Sequence, residues 1–181
     1  VEELLADAVA QGARVLCVDR YLDSAAETVA LIAAQGGTAQ AAAADVLDEA
    51  AVQAAIAACS SAWGRLDILH YNVGVSVEAG DAPMDLLTAE AFGRVMDVNL
   101  FGCILATRNA LPVMRAQGSG VILNVSSIAS ICARREPTQR SGVAYKTSKG
   151  AVNTLTHHIA LENAEFGVRC NAILPGLIDT P

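Results

Sequence analysis

Tyr145 and Lys149 stand four residues apart in Ala144-Tyr145-Lys146-Thr147-Ser148-Lys149-Gly150, at the head of an apolar helical run. Residues at i and i+4 share one helix face, so a phenol and an ammonium can point at the same spot. An ammonium beside a phenol favours the phenolate, and such a pair can exchange a proton with a substrate near neutral pH. The spacing alone also fits an ordinary surface pair on a helix. Two further polar groups stand where apolar residues are expected. Ser126 and Ser127 end the strand-like run Val121-Ile122-Leu123-Asn124-Val125, and Asn99 sits among Val98, Leu100 and Phe101. A buried Asn needs hydrogen-bond partners, and a hydroxyl at a strand end can donate to a substrate oxygen.

The elements that must position these groups alternate in type. Short buried-strand runs are predicted over Ala13–Val18, Thr38–Ala43, Leu66–His70, Val121–Val125 and Val168–Leu174. Helices are predicted over Val1–Gln11, Ser24–Gln35, a stretch capped by Asp48 and ending near Ala62, and Gly142–Glu165, which carries the Tyr–Lys pair. Gly36-Gly37 stops the second of these. Thr88 caps the entry to a long apolar segment, Phe92–Gln117, in which Pro112 implies a kink or a break. Strands separated by helices indicate an α/β fold with a doubly wound parallel sheet. No repeat, linker or composition shift marks a boundary, so residues 1–181 read as a single domain.

Bulk properties exclude several classes. The chain has 181 residues, 53% hydrophobic and 17% charged, a globular composition. A net charge of −7 argues against nucleic acid or an anionic membrane as partner. No apolar run is long enough to span a bilayer. The five cysteines are scattered without a Cys-x-x-Cys, which reads as reduced thiols of a cytoplasmic protein. The three histidines show no metal-ligand spacing, so no metal is expected.

Taken in order, Asp97-Val98-Asn99, Asn124-Val125-Ser126-Ser127, Tyr145-x-x-x-Lys149 and Pro175-Gly176-Leu177-Ile178-Asp179-Thr180-Pro181 resemble the short-chain dehydrogenase/reductase family, single-domain type. The resemblance runs along essentially the whole chain and implies a Rossmann-like, three-layer α/β/α fold. It implies a catalytic set of Asn99, Ser127, Tyr145 and Lys149. Tyr145 would be the acid/base, Lys149 would lower its pKa and bond the nicotinamide ribose, Ser127 would hold the substrate oxygen, and Asn99 would disturb its helix and hold a water linked to Lys149. For the dinucleotide it implies Asp19 on the adenosine ribose, Asp45 and Val46 at the adenine, and Asn72 and Gly74 where the backbone approaches the cofactor. Pro175 and Gly176 would supply a turn, with Ile178 and Thr180 holding the carboxamide. An Asp at position 19 would repel a 2′-phosphate, which favours NAD over NADP, although Arg20 beside it could greet a phosphate. Asp19 and Asp45 also fit plain turn and cap positions.

The chain departs from the family pattern in three places. Tyr71 and Val73 replace the usual residues of Asn-Asn-Ala-Gly, and altered packing rather than altered chemistry is expected at Tyr71. Ser127 and Tyr145 are further apart than is usual, with the excess in Arg134–Ser141, read as a surface loop near the substrate mouth. The family's Gly-rich phosphate loop is absent, and the chain stops at Pro181 where the family continues into a substrate-capping helix. A fragment, incomplete at both ends, is therefore expected. Its missing first strand would leave edge groups unpaired at roughly 1–3 kcal/mol each. Such a stretch on its own is expected to bind NAD weakly.

The resulting expectation is an NAD-dependent oxidoreductase that passes a hydride between NAD and a small-molecule secondary alcohol or ketone. The alternatives are an NADP-dependent 3-oxoacyl reductase, a non-catalytic dinucleotide-binding sensor, and a truncated product. The resemblance also implies a homo-oligomer, dimer or tetramer, assembled through the long helix and the Tyr145 helix.

Overall fold

The computed structural model describes residues 10–132 and 142–176. The chain falls into two compact units, 1–65 and 66–181.

In the first unit, strands β1 (Arg14–Asp19) and β2 (Thr38–Ala43) pair in parallel, from Arg14 opposite Thr38 to Asp19 opposite Ala43. A parallel pair needs a crossover, supplied here by helix α1 (Leu22–Ala34). Ala25 and Ile32 of α1 pack on Cys17, with Val15, Val29, Ala39 and Ala41 around them. Gly36 and Gly37 return their N–H groups to Ala33 and Ile32 and end α1 where the sequence predicts. Helix α2 (Glu49–Trp63) starts at Asp48, whose carboxylate accepts from the Ala51 N–H at 3.1 Å.

In the second unit, strands β3 (Ile68–Tyr71), β4 (Gly120–Val125) and β5 (Val168–Ile173) form a parallel sheet in the order β3-β4-β5. Helix α3 (Ala89–Met96), capped by Thr88, runs into a π-helical turn, Asp97–Phe101, and then into α4 (Gly102–Gln117). Helix α5 (Val143–Asn163) links β4 to β5. The alternation of parallel strands and helices is that of a doubly wound, Rossmann-like α/β fold.

Of the kink or break expected at Pro112, the break is absent. Helix α4 runs through Pro112 without a break. Proline's fixed φ is helical, and Pro112 is exposed, so water can take up the hydrogen bond its ring forgoes. The irregularity of Phe92–Gln117 lies instead at Asn99. The core between β4 and its helices also holds polar groups that satisfy one another. The Asn124 amide donates to Thr156 Oγ1 at 2.9 Å and to Cys170 Sγ at 3.6 Å, and accepts from the Cys103 thiol at 3.4 Å.

Candidate active site

The carboxyl end of β4 leads directly into Ser126 and Ser127. The Ser126 N–H donates to the Ile173 carbonyl at the end of β5, and its hydroxyl donates to the Lys149 carbonyl at 3.0 Å. Ser127 is half-buried, and its hydroxyl oxygen accepts from the Ala129 N–H at 3.1 Å, which starts the short 3-10 turn Ile128–Ser130. Below it, Asn153 donates to Ser130 Oγ, and Ser130 donates to the Ser127 carbonyl at 2.6 Å. The Pro175 carbonyl accepts from the Ile128 N–H at 3.0 Å, so the turn after β5 is tied to the segment carrying Ser127.

Tyr145 and Lys149 lie on the first turns of α5, facing the same way. Lys149 is 3% exposed. Its Nζ donates to the Val125 carbonyl at 2.7 Å and lies 5.7 Å from the centroid of the Tyr145 ring. Burial pushes the Lys149 amine below its ordinary range, opposed weakly by Cys103. A Cβ on Gly74 would come within 3.1 Å of Lys149 Nζ and 3.5 Å of Asn99 Oδ1. A side chain at this position would crowd the Lys149 ammonium, and glycine leaves that space open.

Asn99 is fully buried in the π turn. Its Oδ1 accepts from the Val75 N–H at 2.7 Å, and its Nδ2 donates to the Val75 carbonyl at 2.9 Å and to Ser148 Oγ at 2.9 Å. Ser148 in turn donates to the Tyr145 carbonyl at 2.8 Å. Asn99 thus joins three segments, namely the loop after β3, the π turn and α5. The expected disturbance of its helix takes the form of the π turn.

Two residues with positions in this network were not singled out for them in the sequence. Tyr71, expected only to alter packing, is buried and donates its hydroxyl to the Val98 carbonyl in the π turn at 2.6 Å. Asp81, 5% exposed, accepts from the N–H groups of Ala144 at 2.9 Å and Tyr145 at 2.8 Å. The turn-like Gly80-Asp81-Ala82-Pro83 gives no sign of a partner so far along the chain.

The remaining expected positions divide among the units. In the first, Asp19 is exposed at the end of β1 and accepts from the Tyr21 N–H at 2.8 Å, while Arg20 donates to Tyr21 Oη at 3.0 Å. Asp45 accepts from the Leu47 N–H at 2.9 Å, and Val46 beside it is partly buried. In the second, Asn72 and Gly74 are exposed just past β3, and just past β5 Pro175 is partly buried and Gly176 exposed. Ile178 and Thr180, and the loop 134–141, lie outside the described residues. The structure therefore brings together Asn99, Lys149, Tyr145, Gly74 and the strand end that carries Ser127.

The family model described as "short chain dehydrogenase" matches residues 2–181. Among characterised proteins, 2-(R)-hydroxypropyl-CoM dehydrogenase of Xanthobacter autotrophicus is 45% identical over 138 residues, which is 76% of this chain and 53% of that one. The chain thus spans about half the length of that relative. A gluconate 5-dehydrogenase from Burkholderia cenocepacia, solved with NADP and tartrate, is 31% identical with a TM-score of 0.85, over 99% of this chain and 68% of that one. An NAD+-bound xylitol dehydrogenase is 27% identical with a TM-score of 0.87, over 100% of this chain and 68% of that one.

Proposed function

The chain belongs to the short-chain dehydrogenase family, and on that premise we propose that it passes a hydride between NAD and a small secondary alcohol or ketone, with Tyr145 as acid/base. One observation carries this reading. A buried amine, Lys149 Nζ, is held by the Val125 carbonyl beside the Tyr145 ring, at the point where Gly74 and Asn99 converge.

The residues present fit the nicotinamide end of a dinucleotide, since the space a Cβ would fill at Gly74 adjoins the Lys149 ammonium. A bound nicotinamide supplies the hydride acceptor or donor. The chain's own groups do the rest. Tyr145 takes the hydroxyl proton of an alcohol, or returns one to a ketone. Lys149 stabilises negative charge on the phenol through a medium of low dielectric. Ser127 donates to the substrate oxygen and so fixes which carbon faces the cofactor. Asn99, fixed by three hydrogen bonds to Val75 and Ser148, supports a proton relay beside Lys149.

NAD is favoured over NADP by Asp19, whose carboxylate would repel a 2′-phosphate, with exposed Arg20 beside it as the one group that could greet such a phosphate. Both dinucleotides occur among the similar structures, so an NADP-dependent 3-oxoacyl reductase is the second reading. Among the described residues no helix is long and apolar enough to cross a membrane, and a cytoplasmic enzyme is proposed. A dimer or tetramer through α4 and α5 is also proposed. The cleft there is lined by Leu111, Pro112 and Leu155 beside Arg115 and Glu162. Initial rates on a panel of secondary alcohols and ketones, each with NAD(H) and NADP(H), test the reading. Turnover confined to NADP(H) overturns the cofactor assignment, and no hydride transfer with any substrate overturns the activity.

A further inference from the structure

An α-helix begins with N–H groups that have no partner inside the helix. At the start of α5 the capping position is Gly142, which has no side chain to supply an acceptor, and no side-chain cap from that position exists. The acceptor comes from elsewhere. Asp81 Oδ1 accepts from the Ala144 N–H at 2.9 Å and Oδ2 from the Tyr145 N–H at 2.8 Å, the latter across a separation of 64 residues. The carboxylate is itself held. The Ala82 N–H donates to Oδ1 at 2.9 Å, and Ser76 Oγ stands 3.5 Å from Oδ2. The loop that bears it is anchored by Arg94 of α3, which donates to the Ala79 carbonyl at 3.1 Å. A buried carboxylate at 5% exposure is tolerated because four donors and the positive end of the helix face it. A Cβ added to Gly142 would collide with Asp81 Oδ2. The glycine thus both vacates the capping role and admits the distant residue that fills it.

We propose that Asp81 is the positioning residue of the active site, setting where the Tyr145 phenol stands by holding the backbone of Tyr145 itself. Its bonds to this helix are to the backbone N–H groups of Ala144 and Tyr145 and not to the phenol. The proposal rests on the reading of Tyr145 as acid/base. A displacement of about 1 Å in a reacting group can cost on the order of a hundredfold in rate. Loss of the clamp should therefore appear in kcat far more than in binding.

The test compares Asp81→Ala, Asp81→Asn, Gly142→Ala and Tyr145→Phe in the full chain. Each is measured for kcat, for KM of the dinucleotide, and for amide hydrogen exchange at Ala144 and Tyr145. D81A should lower kcat roughly 10- to 100-fold with little change in KM, and should speed exchange at both amides. D81N keeps one oxygen acceptor of the two and should fall between D81A and the parent. G142A keeps the carboxylate but displaces it, and should repeat the kcat loss at unchanged KM; it decides the matter if D81A does not fold. Parental kcat in D81A or G142A, or equal losses in D81N and D81A, overturns the positioning role. Parental turnover in Y145F overturns the acid/base reading and this inference with it. A dead Y145F beside a fully active D81A overturns this inference alone.

Discussion

Lys149 stands with its Nζ 5.7 Å from the centroid of the Tyr145 ring and gives its hydrogen bond to the Val125 carbonyl at 2.7 Å. The ammonium therefore acts on the phenol through space, from a fixed post on the sheet. Fixing it there costs solvation, and that cost is measurable.

Burial lowers the Lys149 pKa below the ordinary 10.5. The unfolded chain then holds the proton up to about that pH, while the folded chain releases it earlier. Below the folded pKa the full penalty of burying charge is present, and between the folded value and 10.5 stability rises with pH. Lys149→Met removes this dependence. The melting temperature of K149M relative to the parent should therefore fall as pH climbs from neutral towards 10.5. A difference that stays flat over that range contradicts the buried, depressed amine.

Asn99→Leu preserves bulk but strands the Val75 N–H and carbonyl. Each lost partner of a buried group costs about 1–3 kcal/mol. N99L should lower the urea midpoint correspondingly, and an unchanged midpoint would show that Asn99 does not hold the loop after β3.

Two glycines outside the site should respond in opposite directions. At Gly120 a Cβ would meet Met114 Cγ and Sδ at 2.6 Å, so G120A should cost roughly 1–3 kcal/mol by overpacking. At Gly93, inside α3, a Cβ meets nothing within 4 Å, so G93A should gain about 0.5–1 kcal/mol through helix propensity. Denaturation of the two variants side by side checks both signs.

The buried thiols should be inert. Burial pushes Cys103 to about 12 and Cys170 to about 11, each beside Asn124, whereas Cys132 is exposed. A thiol reagent at mildly alkaline pH should modify Cys132 in the native protein and leave Cys103 and Cys170 until unfolding. Rapid native labelling of either buried thiol would contradict the packing around β4.

What the sequence made legible was local. Tyr145 and Lys149 share a helix turn, Ser127 follows its strand directly, and Asn99 stands out as a polar residue on an apolar helix. Strand and helix types followed from periodicity, with ends shifted by a residue or two. What stayed hidden spans long separations. Tyr71 reaches Val98 across 27 positions and Asp81 reaches Tyr145 across 64, and no spacing rule connects them. Gly142 reads only as the start of the Tyr145 helix until the carboxylate against it is seen. Pro112 does not end its helix, because a proline's cost depends on what faces the turn it interrupts, and that is a tertiary property.

The central claim is that Tyr145 moves the proton, and Tyr145→Phe tests it most directly. The substitution removes one oxygen and leaves the ring that lies beside Lys149. Turnover should fall by roughly two to four orders of magnitude, while the dissociation constant for the dinucleotide, measured by calorimetry, stays near the parental value. Turnover within a fewfold of the parent would contradict the assignment.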